Sequence, residues 1–307
     1  MKNRAFGIRK YERKKYEKRK YGKRTSWREK RRRKRLIAVT AMAAGIAIAV
    51  PMAFGTVQKI SVSAGKQGGQ ETEASRALSV REEDELFKKM AEKISWEQYR
   101  KDLAAYLESH KVTFHTVEES YFDNTLFIGD SRTLGLSQFA RLGKADYFSD
   151  AGMTVFSLFK AKVSDRNFSL TDLRTLLSSH RYERIYLMLG INEIGYPMEG
   201  IKKQYKKVLE EIQSLQPDAE IILEANMNVA RKKEKANKNF AVENINTLNQ
   251  IIASFADQKH IYYIDINESD EFVDEQGYLK DEVSTDGVHP NVSYYQSWAQ
   301  WLCENAI

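Results

Sequence analysis

The second half of the sequence predicts an α/β fold, a doubly wound sheet of parallel strands with helices on both faces. From about residue 119 onward, short apolar runs of strand length alternate with longer amphipathic runs. Runs such as Ile185–Leu189 are apolar without alternation, as expected for strands that are buried on both faces. The connections between runs are long enough for helices, which parallel strands require.

Taken in order, the pattern predicts an alternation of strands and helices. The predicted strands are Thr125–Gly129, Asp146–Ser149, Arg184–Leu189, Glu220–Glu224 and Ile261–Asp265. The predicted helices are Thr133–Leu142, Val155–Lys162, Leu170–Ser179, Met198–Leu215, Ala241–Ala256 and Val292–Asn305. Ligands of such sheets bind beyond the carboxyl ends of the strands, so we expect a functional site in the loops that follow them.

Positive charge is concentrated at the start of the chain. The 307 residues include 49 Lys and Arg and 42 Asp and Glu, and residues 1–35 hold 19 of the basic and 3 of the acidic residues. The net charge is therefore +16 for residues 1–35 and −9 for the remainder. Tyr11, Tyr16 and Tyr21 punctuate the basic run, which leaves nucleic-acid binding as an alternative. Beside an apolar span, a cytoplasmic tail that contacts anionic lipid is favoured, and no nucleic-acid partner is expected.

Residues 36–57 are predicted to form a single transmembrane helix. None of these 22 residues is charged. A helix of this length spans about 33 Å, enough for a hydrocarbon core of about 30 Å. The basic cluster Arg31–Arg35 directly precedes it, which predicts a cytoplasmic N terminus and an extracytoplasmic body. Residues 62–64 (Val-Ser-Ala) resemble a signal cleavage site, so a cleaved signal is the alternative to a membrane anchor, and either exports the body.

Residues 58–118 are interpreted as a linker and a helical stalk. Residues 58–80 are rich in Gly, Ser, Gln and Glu, which is typical of a flexible linker. Arg81 to His110 is predicted to be a charged helix, and residues 95–98 fit a capping box. Its apolar face carries Trp96, Tyr99, Leu103 and Leu107. This helix is expected either to stand off as a stalk or to pack on the body.

Neither a metal nor a cofactor is expected. His110, His115, His180 and His260 are scattered and lack partners at ligand spacing. Cys303 is the one cysteine, which excludes an intramolecular disulfide and a zinc site built on cysteines. The sequence has no phosphate-binding P-loop.

Residues suited to acyl chemistry follow four of the predicted strands. They are Gly129-Asp130-Ser131, Asp150-Ala151-Gly152, Gly190-Ile191-Asn192 and, after the fifth strand, Asp286-Gly287-Val288-His289. A serine between a strand and a helix N terminus is well placed for a nucleophile, although a simple N-cap is the alternative. The α/β-hydrolase elbow is excluded, because Thr133 occupies its second glycine position.

A serine hydroxyl becomes a nucleophile when a nearby base takes its proton, and His suits this role near neutral pH. Asp286 precedes His289 by three residues, so one turn of backbone can present both side chains together. Attack on an ester creates an oxyanion that needs hydrogen-bond donors. The backbone N–H groups of Ser131 and Gly152 and the side-chain amide of Asn192 can supply them.

These four blocks, in this order, resemble the SGNH hydrolase superfamily, also called the GDSL esterase/lipase family. The resemblance covers about residues 122–307. It implies a three-layer α/β/α sandwich with a parallel, flavodoxin-like sheet, and ester hydrolysis or acyl transfer without a cofactor. By that match Ser131 is the nucleophile, His289 the base and Asp286 its orienting acid. Ser131, Gly152 and Asn192 match the oxyanion-hole positions.

Two residues depart from the family pattern and bear on the substrate. Arg132 stands where a leucine often follows Gly-Asp-Ser, and Glu193 where an aspartate often follows the block-three asparagine. Arg132 is expected to be a surface residue, with contact to an anionic substrate group as the alternative. The run Arg231–Lys235 is expected to be a solvated loop, and the alternative is that it borders the site and attracts an acidic substrate. Asn226 and Asn228 could be turn residues or substrate contacts.

The sequence therefore predicts a membrane-anchored, extracytoplasmic serine esterase, with residues 119–307 as its hydrolase domain. Its expected substrate is an acylated carbohydrate of the cell envelope or a small ester, from which it removes acetyl-like groups. An O-acetyltransferase using the same acyl-enzyme is one alternative, and a catalytically silent glycan-binding module is another. The intact set of Ser131, Asp286 and His289 argues against the silent module. The natural substrate, the acyl length, the acceptor and the oligomeric state stay open.

Overall fold

The computed structural model describes residues 93–110, 112–164 and 169–307. The predicted basic tail (1–35), transmembrane helix (36–57) and linker (58–80) lie outside the described residues, as does the first part of the predicted charged helix. Within the described ranges, no helix combines the length and the apolar character needed to cross a bilayer.

Five of the seven described strands match the predicted strands to within one residue, and two short strands were not predicted. In chain order they are β1 (Thr125–Gly129), β2 (Asp146–Ser149), β3 (Lys162–Ser164), β4 (Leu170–Asp172), β5 (Arg184–Met188), β6 (Glu220–Glu224) and β7 (Ile261–Ile264). Five of them form one sheet in the order β2-β1-β5-β6-β7, and all of its pairs are parallel. This is the flavodoxin-like order, with its switch point beside β1. Strands β3 and β4 form a separate antiparallel pair.

The described helices cover this sheet. They are α1 (Trp96–Ser109), α2 (Ser131–Phe139), α3 (Leu173–Ser179), α4 (Met198–Leu215), α5 (Arg231–Ala236), α6 (Val242–Ala253) and α7 (Val292–Glu304). Helix α2 packs against α7, while α4 packs against both α3 and α6. The three-layer α/β/α prediction is therefore confirmed. The β5 side chains Ile185, Tyr186, Leu187 and Met188 are buried, which explains the unbroken apolar run.

One predicted helix is wrong, and a second is wrong at its beginning. Residues 155–162 do not form a helix, because only Leu158–Lys160 makes a 3₁₀ turn and β3 starts at residue 162. The Thr154 and Ser157 side chains accept hydrogen bonds from each other's backbone N–H groups at 3.2 and 3.0 Å, a reciprocal cap that starts a turn. The turn does not continue into a helix, because residues 162–164 pair with β4 as a strand. The helix predicted from residue 170 begins at Leu173, because Asp172 caps it by accepting from the Thr175 N–H.

Helix α1 packs on the body. The Ser95 Oγ accepts a hydrogen bond from the Gln98 N–H at 3.2 Å, which is the cap that the sequence predicts. Its apolar face is buried against α6, and the Tyr99 hydroxyl donates to Asp265 after β7 at 2.5 Å. Of the two alternatives for this helix, packing on the body is therefore the observed one. The domain boundary at residue 119 stays a prediction.

The register of the sheet brings three strand ends to one level. Gly129 pairs with Ser149 on one side and with Met188 on the other, so the loops after β1, β2 and β5 leave the sheet side by side. Gly129 leaves no room for a side chain, since a Cβ there would lie 2.0 Å from the Thr133 Oγ1. The absence of a Cβ lets α2 start directly over the end of β1, with Ser131 at its first turn.

Candidate active site

Ser131 is the first residue of α2, and its neighbour Asp130 caps the helix. The Asp130 Oδ1 accepts a hydrogen bond from the Arg132 N–H at 2.9 Å, and Asp130 is itself buried. The alternative interpretation of Ser131 as the N-cap is therefore wrong. With the cap supplied by Asp130, the Ser131 hydroxyl can face another partner at the helix N terminus.

The partner of the Ser131 hydroxyl is His289. The Ser131 Oγ lies 2.8 Å from the His289 Nε2, and the His289 Nδ1 lies 2.6 Å from the Asp286 Oδ2. Ser131 comes from the end of β1, whereas Asp286 and His289 come from the loop before α7, so 158 residues of chain separate the hydroxyl from its histidine. The three side chains that the sequence singled out form one continuous chain of hydrogen bonds.

The surroundings of Asp286 keep it ionised. Burial opposes ionisation, but hydrogen bonds from the His289 side chain and from the backbone N–H groups of His289 and Val288 outweigh it and hold the pKa of Asp286 far below its usual range. The Ser284 hydroxyl donates a further bond at 3.0 Å. An ionised carboxylate only accepts hydrogen bonds, so the His289 Nδ1 carries the proton. The His289 Nε2 is then the acceptor that faces the Ser131 hydroxyl.

The loop that carries Asp286 and His289 is supported by helix α5. Gly287 adopts the left-handed conformation at φ +82°, which turns the chain tightly between the two side chains. Its carbonyl accepts from the Ala230 N–H at 2.9 Å, and the Lys232 Nζ donates to the Ser284 carbonyl at 3.0 Å. Residues 231–235 form a short helix and not the expected loop, although none of their side chains is buried. They border the candidate site, as the sequence allowed, by holding the loop of Asp286.

Gly152 is exposed at the end of the loop after β2. Its φ is +74°, a conformation that side-chain-bearing residues rarely adopt, and no atom lies within 4 Å of the position that a Cβ would take. The glycine therefore serves the backbone conformation, and the space beside its Cα is open. A substrate oxygen can approach the Gly152 N–H without a side chain in the way.

Asn192 is fixed by the loop that carries Gly152. Its exposed side-chain amide donates one N–H to the Met153 carbonyl at 3.0 Å, which sets the orientation of the amide and leaves a second N–H on the same nitrogen. The loops after β2 and β5 are thus joined at the two residues predicted to supply oxyanion donors.

Glu193 makes a second bond between the same two loops. Its side chain is fully buried, and its Oε1 accepts from the Val155 N–H at 2.8 Å. Burial raises the pKa of Glu193 to about 7, although the hydrogen bond from Val155 opposes the shift. Sequence reasoning noted Glu193 only as a departure from the family pattern. The structure assigns it the task of holding the loop of Gly152 against that of Asn192.

Arg132 is a buried structural residue. It pairs with the Asp130 carboxylate at 3.2 Å, with both side chains fully buried, and donates to the Met227 carbonyl and to the Asn226 Oδ1, each at 3.0 Å. Both expectations for Arg132, a surface position and a contact with an anionic substrate, are therefore wrong. Buried guanidinium N–H groups need acceptors, and this side chain finds them on two segments, at Asp130 and in the loop after β6.

Asn226 and Asn228 are also structural. Asn226 donates from its Nδ2 to the Leu189 carbonyl at 2.9 Å, and Asn228 donates to the Gly277 carbonyl at 2.7 Å. Both side chains are fully buried, so the proposed substrate contacts are wrong. They fasten the loop after β6 to the loops around it.

The described residues contain no group of three or more His, Cys, Asp or Glu placed to hold a metal ion. Cys303 is buried and unpaired.

Comparison with known families agrees with this geometry. The model of the GDSL-like lipase/acylhydrolase family matches residues 127–296, more than half of the chain. The chain belongs to this family. It is therefore an ester hydrolase of the SGNH/GDSL type, as the blocks at Gly129, Gly152, Asn192 and Asp286 predict. No curated protein matches the sequence.

Solved structures of low sequence identity share similarity with the chain. A Streptococcus pneumonia protein provisionally named a platelet activating factor is 23% identical, with 74% of this chain and 97% of that chain covered and a TM-score of 0.46. A GDSL-like lipase from Bacteroides thetaiotaomicron is 14% identical, with 66% and 98% covered and a TM-score of 0.44. An acetyl xylan esterase is 18% identical, with 60% and 99% covered and a TM-score of 0.44.

Proposed function

We propose that this acylhydrolase is a serine esterase that removes small acyl groups, acetyl above all, from carbohydrate of the cell envelope. Ser131 is the nucleophile, His289 the general base and Asp286 the residue that orients it. The observation that carries the proposal is the chain of short contacts, 2.8 Å from the Ser131 Oγ to the His289 Nε2 and 2.6 Å from the His289 Nδ1 to Asp286.

The first half of the reaction acylates Ser131. The Ser131 Oγ forms a bond to the ester carbonyl carbon while its proton passes to the His289 Nε2. The imidazolium that results is stabilised by the Asp286 carboxylate, whose low pKa keeps it charged. When the tetrahedral intermediate collapses, the bond to the alcohol oxygen breaks and His289 gives that oxygen the proton. The alcohol leaves, and the acyl group stays on Ser131.

The second half repeats these steps with water. His289 takes a proton from a water molecule, whose oxygen attacks the acyl carbon, and then returns the proton to the Ser131 Oγ as the acid leaves. In each half the carbonyl oxygen becomes negatively charged. The backbone N–H groups of Ser131 and Gly152 and the second amide N–H of Asn192 are the donors that we assign to it.

The openness of the site supports a small acyl group on a large polar alcohol. The His289 and Asp286 side chains are 41% and 55% exposed, and Gly152 and Asn192 are exposed as well. A long acyl chain needs a covered apolar groove to leave water. An acetyl group needs none, and a polysaccharide can lie across an open site.

The proposed location rests on the sequence of the N-terminal third. Residues 36–57 would hold the chain in the cytoplasmic membrane, with residues 1–35 in the cytoplasm near anionic lipid and residues 119–307 outside as the hydrolase domain. A protease added to intact cells should then digest the body. Full protection of the body would contradict this orientation.

The esterase activity is tested with the full-length chain in detergent and p-nitrophenyl acetate as substrate. We expect Ser131→Ala to lower kcat/KM at least about 1,000-fold, because the nucleophile is lost. Ser137→Ala is the matched control, since this serine lies on the same helix and its hydroxyl donates to the Leu134 carbonyl. Equal rates for Ser131→Ala and the wild type would overturn the proposal. Activity that appears only with a sugar acceptor would replace hydrolysis by acyl transfer.

A further inference from the structure

Two aromatic side chains are exposed together beside the oxyanion loops. Phe156 is 37% and Tyr196 61% exposed. Their ring centroids lie 5.5 Å apart with an angle of 34° between the ring planes. Large aromatic side chains are normally buried, so a contacting pair that faces water has a surface available for a ligand.

The pair is attached to the two loops that carry the candidate oxyanion donors. Phe156 is four residues beyond Gly152, and Tyr196 is four residues beyond Asn192. The same two loops are bonded to each other by Asn192 to the Met153 carbonyl and by the Val155 N–H to Glu193.

Each ring is held close to these cross-links. Phe156 directly follows Val155, whose carbonyl also accepts from the Gln204 side chain at 3.2 Å. The Tyr196 N–H donates to the Glu193 carbonyl at 2.8 Å, which closes a turn between the cross-link and the ring. Because the cross-links join the segments that carry both rings, the pair has a defined position relative to the candidate oxyanion donors.

We propose that Phe156 and Tyr196 form a platform that stacks against a sugar ring of the substrate, beside the acylated position. This inference rests on the proposed esterase function and specifies its substrate as carbohydrate. The C–H face of a pyranose ring is apolar and flat enough to pack on an aromatic ring, while its hydroxyls stay in water. Tyrosine suits this position because its ring is apolar while its hydroxyl can stay solvated.

The surroundings of the platform favour a sugar over a lipid surface. The patch consists of two rings, and polar residues lie within four positions of each, Thr154 and Ser157 on one loop and Asn192 on the other. Insertion into a bilayer uses a broad apolar face rimmed by basic residues. A single sugar ring is about the size of one of these side chains, so the pair fits one or two sugar units.

The test compares oligosaccharide and small esters on Phe156→Ala, Tyr196→Ala and the double variant of the full-length chain. The probes are O-acetylated oligosaccharides from xylan and from chitosan, with ethyl acetate as the ester that has no ring to stack. We expect the ratio of kcat/KM for oligosaccharide to kcat/KM for ethyl acetate to fall about tenfold for each single variant, mainly through KM. Phe139→Ala is the matched control, because Phe139 is 42% exposed and contacts another ring, that of Tyr295.

Several results would overturn the platform. The platform is overturned if the ratio of kcat/KM for oligosaccharide to kcat/KM for ethyl acetate is unchanged in the double variant. It is also overturned if Phe139→Ala lowers that ratio as much as the platform variants do. A loss seen only with a short-chain lipid ester in phosphatidylcholine vesicles would assign the pair to lipid instead.

A separate arm distinguishes failure of the platform from failure of the esterase. Unacetylated xylan and chitosan oligosaccharides are titrated onto Ser131→Ala and onto Ser131→Ala with Tyr196→Ala. About tenfold weaker binding by the double variant supports the platform, whether or not the wild-type chain hydrolyses esters. A wild-type chain that hydrolyses no ester would refute the esterase proposal and leave the platform standing. Equal binding by both, or binding by neither, would overturn the platform whatever the esterase activity.

Discussion

Replacing Arg132 by methionine tests the role of the buried ion pair beneath the active site. Arg132 neutralises Asp130 at 3.2 Å, and both side chains are fully buried. Methionine fills much of the same space. It keeps the hydrogen bond from the backbone N–H of residue 132 to the Asp130 carboxylate but removes the bonds from the guanidinium. It also leaves the Met227 carbonyl and the Asn226 Oδ1 without the donors that Arg132 supplies.

The expected cost follows from the unpaired charge. Removing one partner of a buried ion pair costs about 3–5 kcal/mol, because the remaining charge stays out of water. For a body of this size that corresponds to a fall in Tm of roughly 10 °C. Converting Asp130 to asparagine in the same chain removes the charge, so we expect the double variant Asp130→Asn with Arg132→Met to be more stable than Arg132→Met alone.

The assay is thermal unfolding of the full-length chain in detergent, followed by circular dichroism. Arg231→Met is the control, because Arg231 also forms an ion pair, 2.8 Å from Asp274, but with a half-exposed side chain. An exposed pair of this kind contributes about 0–1 kcal/mol. If Arg132→Met and Arg231→Met lower the Tm equally, or if the double variant is less stable than Arg132→Met, the reasoning about the buried charge is wrong.

Two further predictions concern Asp286 and Glu224. Asp286→Asn should lower kcat on p-nitrophenyl acetate by about 100-fold or more, because the amide cannot stabilise the imidazolium of His289, and a loss below tenfold would contradict the orienting role. Burial raises the pKa of Glu224 to about 8, with Arg132 and Trp298 opposing the shift. The folded state therefore keeps a proton that the unfolded chain loses above about pH 4.5, so Glu224 makes stability fall as pH rises towards 8, by up to about 1.4 kcal/mol per pH unit. Glu224→Gln should flatten this fall in urea unfolding between pH 5 and 8, and an unchanged slope would contradict it.

The sequence predicted the sheet well because strand burial leaves a local signal. The β5 run is apolar at every position from Ile185, since both faces of the sheet are covered. The order of the strands follows from the family resemblance. That order places the loops after β1, β2 and β5 side by side, which predicts the site. The Asp286–His289 pair could be predicted for a different reason, because a spacing of three residues is itself a local feature of the sequence.

The errors concern interactions that local sequence cannot show. Arg132 looked like a surface residue because nothing near it reveals that Asn226 and the Met227 carbonyl lie within 3.0 Å, nearly a hundred positions along the chain. Residues 155–162 carried a helical period, but from Lys162 onward the chain pairs with β4 as a strand, which the local sequence does not show. The sequence showed Glu193 only as a departure from the family pattern. Its structural role could not be predicted, since it depends on a hydrogen bond from the Val155 N–H of another loop.

The most direct test of the central claim is to identify the residue that becomes covalently modified. The full-length chain is treated with a fluorophosphonate, which reacts with activated serines, and the product is digested and analysed by mass spectrometry. We expect a single adduct on the peptide that contains Ser131, and we expect His289→Ala to abolish it while the fold is kept. An adduct on another serine with loss of activity, or full esterase activity after Ser131 has been modified, would contradict the account.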